Sequence, residues 1–123
     1  MEQTKRIIKT VTHFVKGGDT SDTDLLDSVL HKDFRVASSD FMGVPGVKVI
    51  DKEGYLSKIR EGVFGGLPRE MTIEEIDASG KIAMVKLRLT SAENNFVSYN
   101  SLVLDEDGHW KIIHNLAVVA ALD

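Results

Sequence analysis

The chain contains no cysteine, which excludes disulfides, thiolate metal ligands and cysteine nucleophiles together. It has no excess of positive charge: 15 lysines and arginines stand against 19 aspartates and glutamates, a formal net charge of −4. A mildly acidic surface offers no electrostatic footprint for a nucleic-acid backbone or an anionic membrane, so neither is expected as a partner. No apolar run approaches the roughly 18 residues a membrane span requires. The N-terminus, Met1-Glu2-Gln3-Thr4-Lys5-Arg6, leads into an amphipathic stretch without a small-residue cleavage site. No secretory signal is read there, and the expected location is cytoplasmic.

Other absences narrow the chemistry. The four histidines show neither HxxxH nor HExxH spacing, so no metal site is expected. Asp105-Glu106-Asp107 lacks the spacing of a calcium loop and reads as a solvated hairpin tip. The glycines at 62, 65 and 66 are not followed by Gly-Lys-Ser or Gly-Lys-Thr, so they form no phosphate loop. They read as a flexible lip at a pocket mouth, where a lid could form. No motif asks for a cofactor. Internal repeats and linkers are also missing, so residues 1–123 are read as one domain of a size that buries a core without staples.

What is present has two periods. Ile7, Ile8, Val11, Phe14 and Val15 recur at helical spacing, predicting a helix over 3–16 that Gly17-Gly18 ends. Asp19-Thr20-Ser21-Asp22 offers N-caps for a second helix carrying Leu25, Leu26, Val29 and Leu30, closed by His31-Lys32-Asp33. Residues 38–50, with Gly43, Pro45 and Gly46, read as a loop or an irregular edge hairpin. Asp51 caps a third helix to about Arg60, with Tyr55, Leu56 and Ile59 inward. Strands then follow at 71–78 and 81–90, joined by Ser79-Gly80, and at 96–104 and 109–119, joined through Asp105-Glu106-Asp107-Gly108. The fold class is α+β, helices first and a mostly antiparallel sheet after.

Strand parity assigns faces once a register is chosen. A two- or four-residue turn at Asp107-Gly108 groups Val97, Tyr99, Ser101 and Val103 with Trp110, Ile112, His114 and Leu116, the face expected to meet the helices. Thr72, Glu74 and Ile76 go with Ala83, Val85, Leu87 and Leu89. The opposite face, with Ser98, Asn100, Lys111 and Asn115 beside Phe96, Leu102 and Ile113, is too apolar for plain exposure. A homodimer through that outer sheet face is expected.

Leu30-His31-Lys32-Asp33-Phe34, the hairpin residues Gly80-Lys81-Ile82-Ala83-Met84-Val85 and Asp107-Gly108-His109-Trp110-Lys111-Ile112-Ile113, in this order and spacing, resemble the nuclear transport factor 2-like superfamily. The likeness is to its SnoaL-like and putative lumazine-binding branch and spans nearly the whole chain. It implies a cone-shaped fold, a curved sheet around a long helix, a pocket at the open end and usually a dimer. The superfamily includes ketosteroid isomerase, scytalone dehydratase, limonene epoxide hydrolase, polyketide cyclases and non-catalytic members, so fold alone implies no one activity. The chain also departs from its branch. An aspartate frequent in the third strand is missing from Val97-Ser98-Tyr99-Asn100. A lysine frequent in the last strand is missing from His114-Asn115-Leu116.

Three readings of the pocket follow. In the first, it holds an unidentified, largely apolar small molecule oriented by Tyr99, Ser101 and His114, with Trp110 and Tyr55 as further contacts. In the second, an isomerase, cyclase or dehydratase uses His114 or Glu74 as base, while Tyr99 polarises a carbonyl. In the third, Phe14, Tyr55 and Phe64 fill the cone and the domain is purely structural. Each candidate also has a plainer role. His114 could be a core histidine bonded to Tyr99 or a carbonyl, Tyr99 packing, Trp110 a core anchor, and Glu74 turned to solvent by a bulge.

Overall fold

The computed structural model describes residues 2–122, apart from the Met42 side chain. The chain runs α1 (Glu2–Asp19), α2 (Thr23–Val29), β1 (Leu30–Ser39), a 3-10 turn (Phe41–Gly43), β2 (Val47–Asp51), α3 (Lys52–Arg60), β3 (Glu70–Ser79), β4 (Ile82–Thr90), β5 (Asn94–Leu104) and β6 (Trp110–Ala121). The strands form one six-stranded sheet in the order β2-β1-β6-β5-β4-β3. All its pairings are antiparallel except that of β1 with β6. The helices cover one face, in the α+β cone arrangement the sequence predicts.

The core lies between them. Ile7 and Val11 of α1, Leu26 of α2, and Leu56 and Ile59 of α3 are buried, as are Val85, Leu87, Leu102 and Ile112 of the sheet. Each such side chain contributes about 1.5–3 kcal/mol of transfer free energy. Two helices start where their caps dictate. Asp22 Oδ1 accepts from Leu25 N at 3.1 Å, and Asp51 Oδ1 accepts from Gly54 N at 2.9 Å. The segment read as loop or edge hairpin is the hairpin, with β2 on the sheet edge.

Several boundaries differ from the sequence reading, each for a packing reason. α1 runs through Gly17 and Gly18 to Asp19. A Cβ on Gly17 would lie 2.8 Å from Leu26 Cγ, so this glycine lets α2 close on α1 rather than ending the helix. α2 stops at Val29 because the chain turns extended at Leu30 (φ −99°, ψ 132°), and His31-Lys32-Asp33 already belongs to β1. The β5–β6 connection spans five residues, since Leu104 pairs with Trp110. It is closed by Asp105 N donating to His109 O and Gly108 N to Asp105 O, both at 2.9 Å. Ile113 is skipped in the pairing with β5, and Glu74 in the pairing of β3 with β4. Each such bulge reverses side-chain parity beyond it.

The segment after α3 is stitched down at both ends. Val63 N donates to Lys58 O at 2.9 Å, and Gly66 N donates to Gly18 O at 3.0 Å. Gly65 has φ +75°, and a Cβ there would overlap the Gly18 carbonyl oxygen. Gly65→Ala is therefore expected to lose more stability in urea unfolding than Gly80→Ala. Gly80 has φ +60° but open space around it, and its substitution should cost roughly 1–2 kcal/mol of left-handed strain alone. Equal losses would show that the Gly65 contact carries no weight.

Candidate functional site

Between the helical layer and the sheet lies an open cavity of about 560 Å³. Its floor follows from cross-strand register. Lys48 of β2, Ser38 of β1, Ala117 of β6 and Ser98 of β5 pair in one row across the sheet, and all four reach the cavity. Small side chains at Ser38 and Ala117 leave the space above this row empty. Its roof is aromatic. Phe14 of α1 and Tyr55 of α3 have ring centroids 6.0 Å apart, and Tyr55 and Phe64 5.9 Å. These three rings line an open cavity; they do not fill it.

At the inner end of the floor sits a polar triad. Asn115 Nδ2 donates to Ser98 Oγ at 2.8 Å and to Asn100 Oδ1 at 2.7 Å, and Asn100 Nδ2 donates to Ser98 Oγ at 3.2 Å. Asn100 is fully buried, while Ser98 and Asn115 keep a little exposure, toward the cavity they line. Both Asn115 N–H groups are committed and Ser98 Oγ accepts twice. The Ser98 hydroxyl proton and Asn115 Oδ1 remain unused on the two residues that line the cavity, while the second N–H of Asn100 stays in the buried interior.

Arg69 forms part of the wall at the start of β3. Its Nε donates to Asp19 Oδ1 at 2.6 Å, its backbone N to Asp19 Oδ2 at 3.1 Å and its Nη2 to Val15 O at 3.2 Å. Its guanidinium lies 5.1 Å from the centre of the Phe96 ring. A cation at the carboxyl end of α1 complements the helix dipole and neutralises Asp19 there. The hydroxyl of Tyr55 faces the same region. Burial pushes its pKa up to about 12, and no hydrogen bond contributes to that shift.

The positions of the expected site residues need correction. Tyr99, Ser101 and His114 do share a face, since Ser101 pairs with His114 and Tyr99 with Leu116. That face points away from the helices, and Tyr99 is 41% exposed. The five-residue connection is odd where an even turn was assumed, which reverses β5. Trp110 and Ile112 stay inward, and the bulge at Ile113 turns His114 out and Asn115 in. Trp110 is buried under α1 with its Nε1 donating to Gln3 Oε1 at 2.9 Å; it anchors the core and does not line the cavity. Glu74 is turned outward by its bulge and pairs with Arg88 Nε at 2.7 Å and Lys86 Nζ at 3.5 Å. Its hydrogen bond with Arg88 holds the carboxyl below its usual range. Tyr55 alone among the expected contacts lines the cavity. Sequence reasoning missed Ser98, Asn115 and Arg69. The directly opposed pair Asn100 and Asn115, with Ser98 two residues before Asn100, was the signal available, in a hairpin whose inward residues are otherwise mostly apolar.

Residues 2–116 match the family described as putative lumazine-binding. The chain belongs to this family. Among curated proteins, none matches the sequence. Solved structures similar to it include a nuclear transport factor 2-like protein of unknown function from Shewanella baltica OS155. That likeness has a TM-score of 0.83 at 16% identity, covering 97% of this chain and 94% of that one. A second protein of the same description, from Silicibacter pomeroyi DSS-3, gives 0.83 at 15% identity and 97% coverage of both chains. A ketosteroid isomerase-like protein from Erwinia carotovora atroseptica SCRI1043 gives 0.75 at 12% identity and 96% coverage of both. At such identities the likeness establishes the nuclear transport factor 2-like fold. Among the described residues, no helix is long and apolar enough to cross a membrane.

Tyr55 gives the site a spectroscopic handle. Its folded-state pKa lies above the value of 10.0 it has when unperturbed. The stabilisation from keeping it neutral is therefore complete below pH 10 and lost as pH rises through about 12. In a Tyr99→Phe variant, which leaves Tyr55 as the sole tyrosine, the tyrosinate absorbance band is expected to emerge near pH 12. Emergence near 10 would mean that the phenol is hydrated in the native protein.

Proposed function

We propose that this protein is a small-molecule-binding module. Its cavity takes a largely apolar ligand, oriented by Ser98, Asn115 and the Tyr55 hydroxyl. The observation that carries this reading is an open cavity of about 560 Å³, inside the size range of ligand sites, with aromatic walls and few polar groups. A proton-transfer enzyme is less well supported. Its expected bases, His114 and Glu74, lie on the far side of the sheet; Asp19, beside the wall residue Arg69, is tied to it, and the acid that lines the cavity, Glu93, sits on the β4–β5 turn.

We also propose that the ligand-binding unit is a homodimer through the outer sheet face, which is the Tyr99 face and not the Ser98, Asn100 and Asn115 face expected from the sequence, since those residues lie inward. Val49, Ala37, Leu116 and Tyr99 form one row across four strands, and Val118 pairs with Val97 in the next. Val49, Leu116 and Val118 are 59%, 57% and 54% exposed, a concentration of apolar surface that commonly marks an interface. The cations that flank the patch, Lys86 beside Tyr99 and Arg88 beside Val97, are paired with Glu74, and two-fold pairing of one face with itself is the usual closed solution.

Two measurements test these readings. Binding of 2-naphthol, followed by its fluorescence, is expected to saturate and to be abolished by Ala117→Trp, which fills the floor; undiminished binding by a folded Ala117→Trp variant would place the probe elsewhere. In light scattering at micromolar concentration, the wild type is expected at twice the 13.6 kDa chain mass, and Leu116→Glu at the chain mass. A wild type that stays monomeric refutes the dimer.

A further inference from the structure

The cavity has two chemically different ends. At one are the Ser98 hydroxyl and Asn115 Oδ1. At the other is Lys48, in the same cross-strand row but three strands away, a separation of roughly 14 Å at the usual strand spacing. Lys58 of α3 lines the cavity as well. α3 follows β2 without a break at Asp51–Lys52, so both lysines belong to the β2–α3 side. Among the described residues, three of the ten lysines have carboxylate partners: Lys52 with Asp27 at 2.8 Å, Lys111 with Asp107 at 2.8 Å and Lys86 with Glu74 at 3.5 Å. Lys48 and Lys58 form no such pair. The third cation of the wall, Arg69, is neutralised by Asp19 at 2.6 Å. Glu93, the acidic side chain of the wall, lies on the β4–β5 turn. Its carbonyl accepts from Leu122 N at 3.0 Å, which puts it beyond the Ala117 row toward the end of β6.

Two unpaired lysines lining an apolar cavity of a net-acidic protein, Lys48 exposed and Lys58 half-buried, are a selective feature. An apolar molecule gains nothing from them, and a cation is repelled. An anionic group reaching the same place gains charge-assisted hydrogen bonds, the stronger at the half-buried Lys58. We infer that the cavity selects elongated, flat anions: an apolar or aromatic body between the aromatic roof and the small-residue floor, a carboxylate at Lys48 and Lys58, and a hydroxyl or carbonyl at Ser98 and Asn115. This rests on the reading of the cavity as a ligand site and adds the charge and shape of what it takes.

The test uses 6-hydroxy-2-naphthoate, which carries both polar ends, and 2-naphthol, which lacks the carboxylate. Each is titrated by fluorescence or calorimetry into the full chain. The naphthoate is expected to bind about ten-fold tighter, the scale of one charge-assisted contact, and its advantage should shrink with added salt. In a Lys48→Gln/Lys58→Gln variant, whose melting temperature checks that it folds, the two affinities are expected to converge. Equal affinities in the wild type, both abolished by Ala117→Trp, would leave the ligand site standing and overturn the anion selectivity. An advantage that survives the double substitution would also overturn it. Binding of neither probe, or binding that ignores Ala117→Trp, would overturn the ligand-site reading and this inference together.

Discussion

The pairing of β5 with β6 divides this molecule into a dry side and a wet one. In a hairpin the register sets which side chains share a face, and here it is pinned by a five-residue connection and a bulge at Ile113. Without the bulge, Asn115 would turn outward, the Ser98–Asn100–Asn115 triad would lose its donor of two hydrogen bonds, and Ala117 would leave the floor. Asn100, with no exposed surface, would then be a buried amide short of partners, a loss of about 1–3 kcal/mol. The triad and the register therefore support each other, and the cavity depends on both.

A void beside a packed core forgoes contact energy, so its walls must be held by something other than the groups that would fill it. Two devices serve here. The Arg69–Asp19 pair, with its further bond to the Val15 carbonyl, ties the end of α1 to the start of β3. The Gly18–Gly66 backbone bond and the close fit of Gly65 tie the loop after α3 to α1. Both act at the rim, leaving Ser38, Ala117 and the rings of Phe14, Tyr55 and Phe64 around open space. Phe34, fully buried, backs these rings, 5.5 Å from Tyr55 and 6.2 Å from Phe14 between ring centroids.

Much of the architecture was legible in the sequence, because helix periodicity, the Asp22 and Asp51 caps and the Ser79-Gly80 turn are local signals. The inward set Ala83, Val85, Leu87 and Leu89 was readable for the same reason: β4 alternates without interruption. The site was less legible. One residue more or less in the Asp105–His109 connection reverses β5, and a single skipped residue reverses the rest of β6, yet neither leaves a mark in composition. Tyr99, Ser101 and His114 were grouped correctly and assigned to the wrong side for that reason alone. Arg69 escaped notice because its partner, Asp19, is 50 residues away, and no local pattern announces such a pair. The glycines of α1 read as a stop because their role lies in contacts with Leu26 and Gly66 that only tertiary structure creates.

The floor row has a consequence for how such domains diversify. Ser38 and Ala117 sit on well-paired strands yet project into empty space, so their side chains carry little of the folding energy. Exchanging either for a larger or smaller residue would alter the bore of the cavity while the ladder beneath it stayed intact. Backbones superimposing at a TM-score of 0.83 with 16% identity can thus enclose cavities of different bore, and a few cross-strand positions would be enough to change it.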